Sequence, residues 1–199
     1  MIFYLIIEGR CLSAIYRKLF TSSIFILMIC AVIFLSACVC AMAEGETNAL
    51  SKGKIYFAAP LFSQAERDYN LKVVKVLEDH GYEVFLPQRD GLLAAEMEGK
   101  TEEELIDMIF RLDYSSIMKA DILVMLIDGR VPDEGACVEL GIAYASGKRC
   151  YGMKTDSRAA ESKLDMNPMI AGCFIRIFKD LNGDEMIKKL EQYLAENDL

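Results

Sequence analysis

The sequence has no tryptophan, a single histidine (His80) and no long basic run in its 199 residues. Each shortage removes a class of function. One histidine cannot build a His-rich metal cage, and it serves Ser-His-Asp or Cys-His catalysis on one chain poorly. Lys and Arg number 22 against 30 Asp and Glu, a formal charge of -8. Non-specific binding to a nucleic acid polymer rests on phosphate neutralisation by a basic surface, so that partner is not expected. Of seven cysteines, Cys11, Cys30, Cys38 and Cys40 fall in the first forty residues. The others, Cys137, Cys150 and Cys173, are odd in number and widely spaced, which gives neither a disulfide framework nor a zinc pattern. They read as small core residues. Carboxylates are the abundant reactive groups, and no metal is expected.

What is present in excess is apolar sequence, 53% of the chain, unevenly spread. Ile24 to Leu35 is a solid apolar block preceded by Arg17-Lys18, and no charged residue occurs from Leu19 to Ala43. A basic flank, an apolar stretch and small residues after it describe a secretory leader, and about 20 apolar residues also span a bilayer. Several outcomes stay open for residues 1–43. Leu35-Ser36-Ala37-Cys38 resembles a lipobox, with Cys38 as the lipidated residue; Ala41-Met42-Ala43 fits a signal-peptidase site; the block is otherwise a retained anchor. A start at Met42, which would leave a cytoplasmic protein, is the remaining alternative. Residues 44–53 are small and polar and read as a linker. The acidic excess belongs to residues 54–199, because the first 50 residues hold three basic and three acidic side chains. That remainder suits one domain of roughly 150 residues.

Within the domain, the hydrophobic period alternates between two and 3.6. Lys54 to Ala58 is a short β-rich run. Ser63 with Glu66 three residues on is a capping-box signature, and apolar positions then recur at helical spacing to His80-Gly81. Glu83 to Leu86 is a second strand closed by Pro87, followed by a loop or short helix. Thr101-Glu102-Glu103-Glu104 opens a helix to about Lys119. Asp121 to Ile127 is a fully apolar strand, the pattern of a central parallel strand. A helix from about Ala136 to Ser146, a strand RCYGMK, a strand CFIRIF and a helix from about Gly183 to Ala195 complete the series. The order predicts an α/β fold, a doubly wound, flavodoxin-like sheet of five parallel strands with helices on both faces.

In such a sheet, ligands bind beyond the carboxyl ends of the strands. That rule selects Tyr56 to Phe62, Pro87 to Asp90, Asp128 to Glu139 and Lys154 to Arg158. The third of these carries the most chemistry. Gly135 permits a tight start to a helix, Asp133 lies at its positive N-terminus, and Glu139 stands one turn in among apolar neighbours. Two readings of Glu139 remain open on spacing alone: a reactive carboxylate, or a structural partner of Arg130 or Lys148, with Asp133 only a cap.

Several ordered motifs between Ile55 and Ala171 bear on this choice. They are Ile55-Tyr56-Phe57-Ala58-Ala59-Pro60-Leu61-Phe62 with Glu66-Arg67, then Pro87-Gln88-Arg89-Asp90-Gly91, Asp121, the Asp128 to Gly141 segment, Gly147-Lys148, and Asn167-Pro168-Met169. Together they resemble the nucleoside 2-deoxyribosyltransferases. The resemblance implies that Glu139 attacks C1′ of a 2′-deoxynucleoside and forms a covalent deoxyribosyl ester, which a second base then opens. It implies that Tyr56 holds the nucleophile, that Asp113 contacts or protonates the base, and that Asp133 binds sugar or base. Gly135 lies in the same binding segment, and Phe62 would offer a stacking face. Asn167 and Met169 would reach into a neighbouring subunit's pocket, which implies at least a homodimer. Nucleosides and free nucleobases are the implied ligands, with no cofactor. Asp156-Ser157-Arg158 resembles a polar motif of the family, and a solvated loop explains it as well. Two alternatives stand beside this reading: a deoxynucleoside 5′-monophosphate N-glycosidase, although no phosphate cradle follows the first strand, and a non-catalytic nucleotide- or sugar-binding module at a membrane.

Overall fold

A computed structural model describes residues 51–94, 97–129, 131–159 and 163–199. The apolar leader, Cys38 and most of the linker lie outside the described residues. Five parallel strands form one sheet in the order β2-β1-β3-β4-β5: β1 Lys54–Ala58, β2 Glu83–Phe85, β3 Ile122–Leu126, β4 Arg149–Lys154 and β5 Arg176–Lys179. The order reverses between β1 and β3, the switch point at which doubly wound sheets open a crevice. The helices are α1 Gln64–Asp79, α2 Pro87–Asp90, α3 Glu102–Lys119, α4 Glu134–Ala145, α5 Pro168–Ala171 and α6 Gly183–Glu196.

Local chemistry sets the boundaries. Ser63 and Thr101 each accept a hydrogen bond from the backbone N–H three residues on, and the Glu66 and Glu104 carboxylates accept the backbone N–H of the cap residue. Three glutamates in the first turn of α3 meet the positive end of its dipole. Gly81 ends the α1 turn with φ +93°, and Gly147 follows α4 with φ +73°, conformations a Cβ disfavours. The last strand begins later than its apolar run, because Cys173 and Phe174 donate back to the carbonyls of Ile170 and Ala171. Those two residues therefore belong to the turn after α5, and β5 starts at Arg176.

Strand alternation sorts the core into two layers. Ile55 and Phe57 of β1 and Ile122, Val124 and Leu126 of β3 face α1 and α6, packing on Val73, Leu77, Met186, Leu190 and Leu194. Tyr56 and Ala58, with Leu123 and Met125, face α3 and α4, packing on Ile117, Ala136, Leu140 and Ala143. Burying a leucine- or isoleucine-sized side chain contributes about 1.5–3 kcal/mol.

Candidate active site

The site begins with the even-numbered side of β1. Tyr56 is 0% exposed, and its ring stacks on Phe85 of β2 at 5.4 Å between centroids. A buried phenol needs a partner for its hydroxyl. It finds one on α4: Tyr56 Oη donates to Glu139 Oε1 at 2.7 Å. The helix places that carboxylate by periodicity. Ala136, Leu140 and Ala143 form the buried stripe of α4, and Glu139 borders it, three residues past Ala136. Its side chain therefore turns toward the sheet instead of solvent.

Two further carboxylates converge on this pair. Asp113 stands one turn before Ile117, the buried residue of α3, and is half-buried near the Tyr56 phenol. Asp133 is the N-cap of α4 and accepts the Ala136 N–H at 2.8 Å. Crowding acids in a half-buried space favours their protonated forms. The Glu139 carboxyl is pushed up to about 7, first by burial and then by the charges of Asp113 and Asp133, against the pull of the Tyr56 hydroxyl. Burial raises Asp113 also, against the pull of the phenol. The phenol itself is raised, first by burial and then by the two carboxylates, so it stays a proton donor to Glu139.

Glu139 and Asp113 line a cleft of about 510 Å³ between α3 and α4. Its wall is mostly apolar, built from Leu105, Ile109, Phe110 and Tyr114 of α3 and Val138 and Ile142 of α4. Gly135 lies at its edge, where a Cβ would stand 3.2 Å from Asp133 Oδ1. Such a cleft fits a flat, largely apolar ring, with a nucleophile and an acid at one end.

Five of the expected residues thus meet: Glu139, Tyr56, Asp113, Asp133 and Gly135. Three do not. Phe62 is 76% exposed and does not line the cleft. Met169 is 82% exposed, and Asn167 caps α5 by accepting the Met169 N–H at 2.9 Å. Asn167 lines a separate cavity of about 310 Å³, which also touches Cys137 on α4. Of the structural partners open to Glu139, Lys148 donates instead to the Met118 carbonyl, and Arg130 lies outside the described residues. The Pro87 to Asp90 segment closes on itself: Arg89 pairs with Glu78 and Asp90, and Gln88 donates to the Arg67 carbonyl and accepts from Asn70. Among the described residues no group of His, Cys, Asp and Glu side chains is arranged to hold a metal ion. The apolar wall on α3 escaped sequence reasoning, because helical spacing does not distinguish a core stripe from a cleft wall.

The sequence profile described as nucleoside 2-deoxyribosyltransferase matches residues 55–195. No protein of curated function matches the sequence. Among solved structures, a 2-deoxyribosyltransferase from Bacillus psychrosaccharolyticus is similar at 28% identity and a TM-score of 0.57, over 70% of this chain and 91% of that one. A conserved protein from Enterococcus faecalis V583 is similar at 26% identity and a TM-score of 0.56, over 70% and 97%. A CMP N-glycosidase from Clostridium botulinum shares the fold at 21% identity and a TM-score of 0.51, over 70% and 98%. With the profile spanning nearly the whole of the described sheet and helices, the chain belongs to the nucleoside 2-deoxyribosyltransferase family.

Proposed function

We propose that this protein moves 2-deoxyribose between nucleobases through a covalent ester on Glu139. Family membership supports the coarser statement, an enzyme of deoxyribosyl transfer or related N-glycosidase chemistry. The observation that carries the finer one is the Tyr56–Glu139 hydrogen bond at 2.7 Å, which orients one carboxylate oxygen and leaves the other for C1′.

In the first displacement a Glu139 oxygen bonds to C1′ as the C1′–N bond breaks, and that electron pair passes to the base. A ring nitrogen leaves more readily when protonated, and Asp113, with its raised carboxyl, supplies the proton. In the second displacement a nitrogen of another base attacks C1′, the C1′–O bond breaks, and Glu139 regains its charge. The base's proton returns to Asp113. Asp133 binds a sugar hydroxyl, and the wall of α3 receives the base. The half-reactions resemble those of a retaining glycosidase.

A monophosphate is the less suited substrate, since no lysine or arginine among the described residues lines the cleft. A second copy of the chain completes the site in this proposal. Ile106, Phe110 and Tyr114 of the cleft wall, with Met118, form an exposed apolar stripe on α3, and Asn167 and Met169 lie away from the cleft. The test is an exchange assay with a 2′-deoxynucleoside and a different free base. Exchanged nucleoside is expected. Base released without exchange, faster from the 5′-monophosphate, selects the N-glycosidase, and neither product overturns both readings.

A further inference from the structure

Lys154 ends β4 and is 6% exposed, and an ammonium is tolerated there only with its protons fully engaged. All three are bound. Lys154 Nζ donates to the carbonyls of Asp156 at 3.0 Å and Arg158 at 2.6 Å, and to Asp165 Oδ1 at 3.0 Å. Asp156, Arg158 and Asp165 are thereby gathered around one buried charge.

Residues that follow β4 hold two that follow β3. Asp156 Oδ1 faces Lys154 Nζ at 3.5 Å, while Oδ2 accepts the backbone N–H of Gly129 at 3.0 Å and the Arg158 Nε–H at 2.7 Å. In return Asp128 accepts the Thr155 N–H at 2.6 Å and the Thr155 hydroxyl. Gly129 has φ +129°, and a Cβ there would stand 2.7 Å from the Val131 carbonyl. Gly129 therefore holds a backbone conformation that a side chain would not fit, and its N–H is anchored from outside by Asp156. Four residues on stands Asp133, which caps α4 and adds its charge to the field at Glu139.

We propose that Lys154 and Asp156 are positioning residues: a buried lysine and the aspartate beside it that fix Gly129 and, through it, Asp133 for the sugar. This rests on the deoxyribosyl-transfer reading. Neither side chain lines the Glu139 cleft, so their effect is indirect, through the anchored Gly129. Tyr56 and Glu139 are held independently, by β1 and by the buried stripe of α4.

The split between binding and chemistry tests this. Asp156→Ala should raise KM for the deoxynucleoside about tenfold or more, with kcat little changed. Asp156→Asn, which keeps an oxygen for Gly129, should fall between wild type and Asp156→Ala, and Lys154→Met should raise KM in the same direction. A KM within twofold of wild type in Asp156→Ala overturns the proposal, as does a loss of kcat that tracks thermal stability with KM unchanged. If the variants fail to fold, hydrogen exchange on the wild-type protein decides: the Gly129 amide should exchange slowly, and fast exchange overturns the clamp. A wild-type chain that neither exchanges nor releases base sinks the transfer reading separately, and the Gly129 exchange still reports on the clamp.

Discussion

On one face of the sheet, α1 buries Asn70, Val73, Val74, Val76 and Leu77, and α6 buries Met186, Leu190 and Leu194. On the other, the 18-residue α3 buries only Ile117, and α4 buries Ala136, Leu140 and Ala143. The same strands supply both faces. The first is closed by aliphatic side chains. The second buries fewer and smaller helix side chains, and a phenol and three carboxylates gather there. A face that maximised burial would have no room for a reaction, and the reactive face forgoes part of its burial to hold charge.

Substitutions on the two faces should separate accordingly. The largest effect belongs to Glu139→Ala, expected to lower kcat by a factor on the order of 10⁴ or more with the fold retained, measured by base exchange and circular dichroism. Retained turnover would remove the distinction between the faces. Leu190→Ala on the other face should cost about 2–5 kcal/mol of stability in denaturant unfolding, with kcat of the folded fraction unchanged. Tyr56→Phe should lower kcat/KM about 10–100-fold. It should also move the acid limb of the pH profile upward from about 7, because the lost hydrogen bond had favoured the ionised carboxylate.

The pH dependence of stability carries its own sign. Glu139 holds its proton more tightly folded than unfolded, so its stabilising effect is complete below the ordinary value of 4.5 and is lost as pH rises through about 7. Above that, an ionised carboxylate is kept half-buried at a cost. Glu139→Gln should therefore be more stable than wild type at pH 8, by about 1–3 kcal/mol in denaturant unfolding, and the gap should close toward pH 4. The smallest effect is the sharpest probe of the α3 stripe. Phe110 is 56% exposed in the single chain and stacks on Tyr114 at 6.0 Å. Phe110→Lys should change the stability of an isolated chain by no more than about 0.5 kcal/mol. A larger loss, with a lighter species in sedimentation, would show that a second copy covers it.

Much of the fold was legible because the signals are local. Capping boxes at Ser63 and Thr101, glycine stops at Gly81 and Gly147, and the apolar run of β3 all act within a turn or a strand. The late start of β5 was not, because Cys173 and Phe174 suit a strand and are diverted by carbonyls of α5. The site was legible in part. The Asp133 to Glu139 spacing puts both carboxylates on one short stretch of chain at the start of a helix, and Tyr56 and Asp113 were named only through the family resemblance.

The sequence by itself determined which residues alternate, where helices start and stop, and that carboxylates and a tyrosine are the available reagents. These are properties of neighbours along the chain. Only the tertiary structure decided that Tyr56 reaches Glu139 across 83 positions, that Phe62, Asn167 and Met169 stand apart from them, and that Lys154 is buried. A carboxyl pushed up to about 7 is likewise a product of burial and of charges brought in from α3 and the α4 cap. Proximity and desolvation arise only when distant segments close on one another, and no local pattern encodes them.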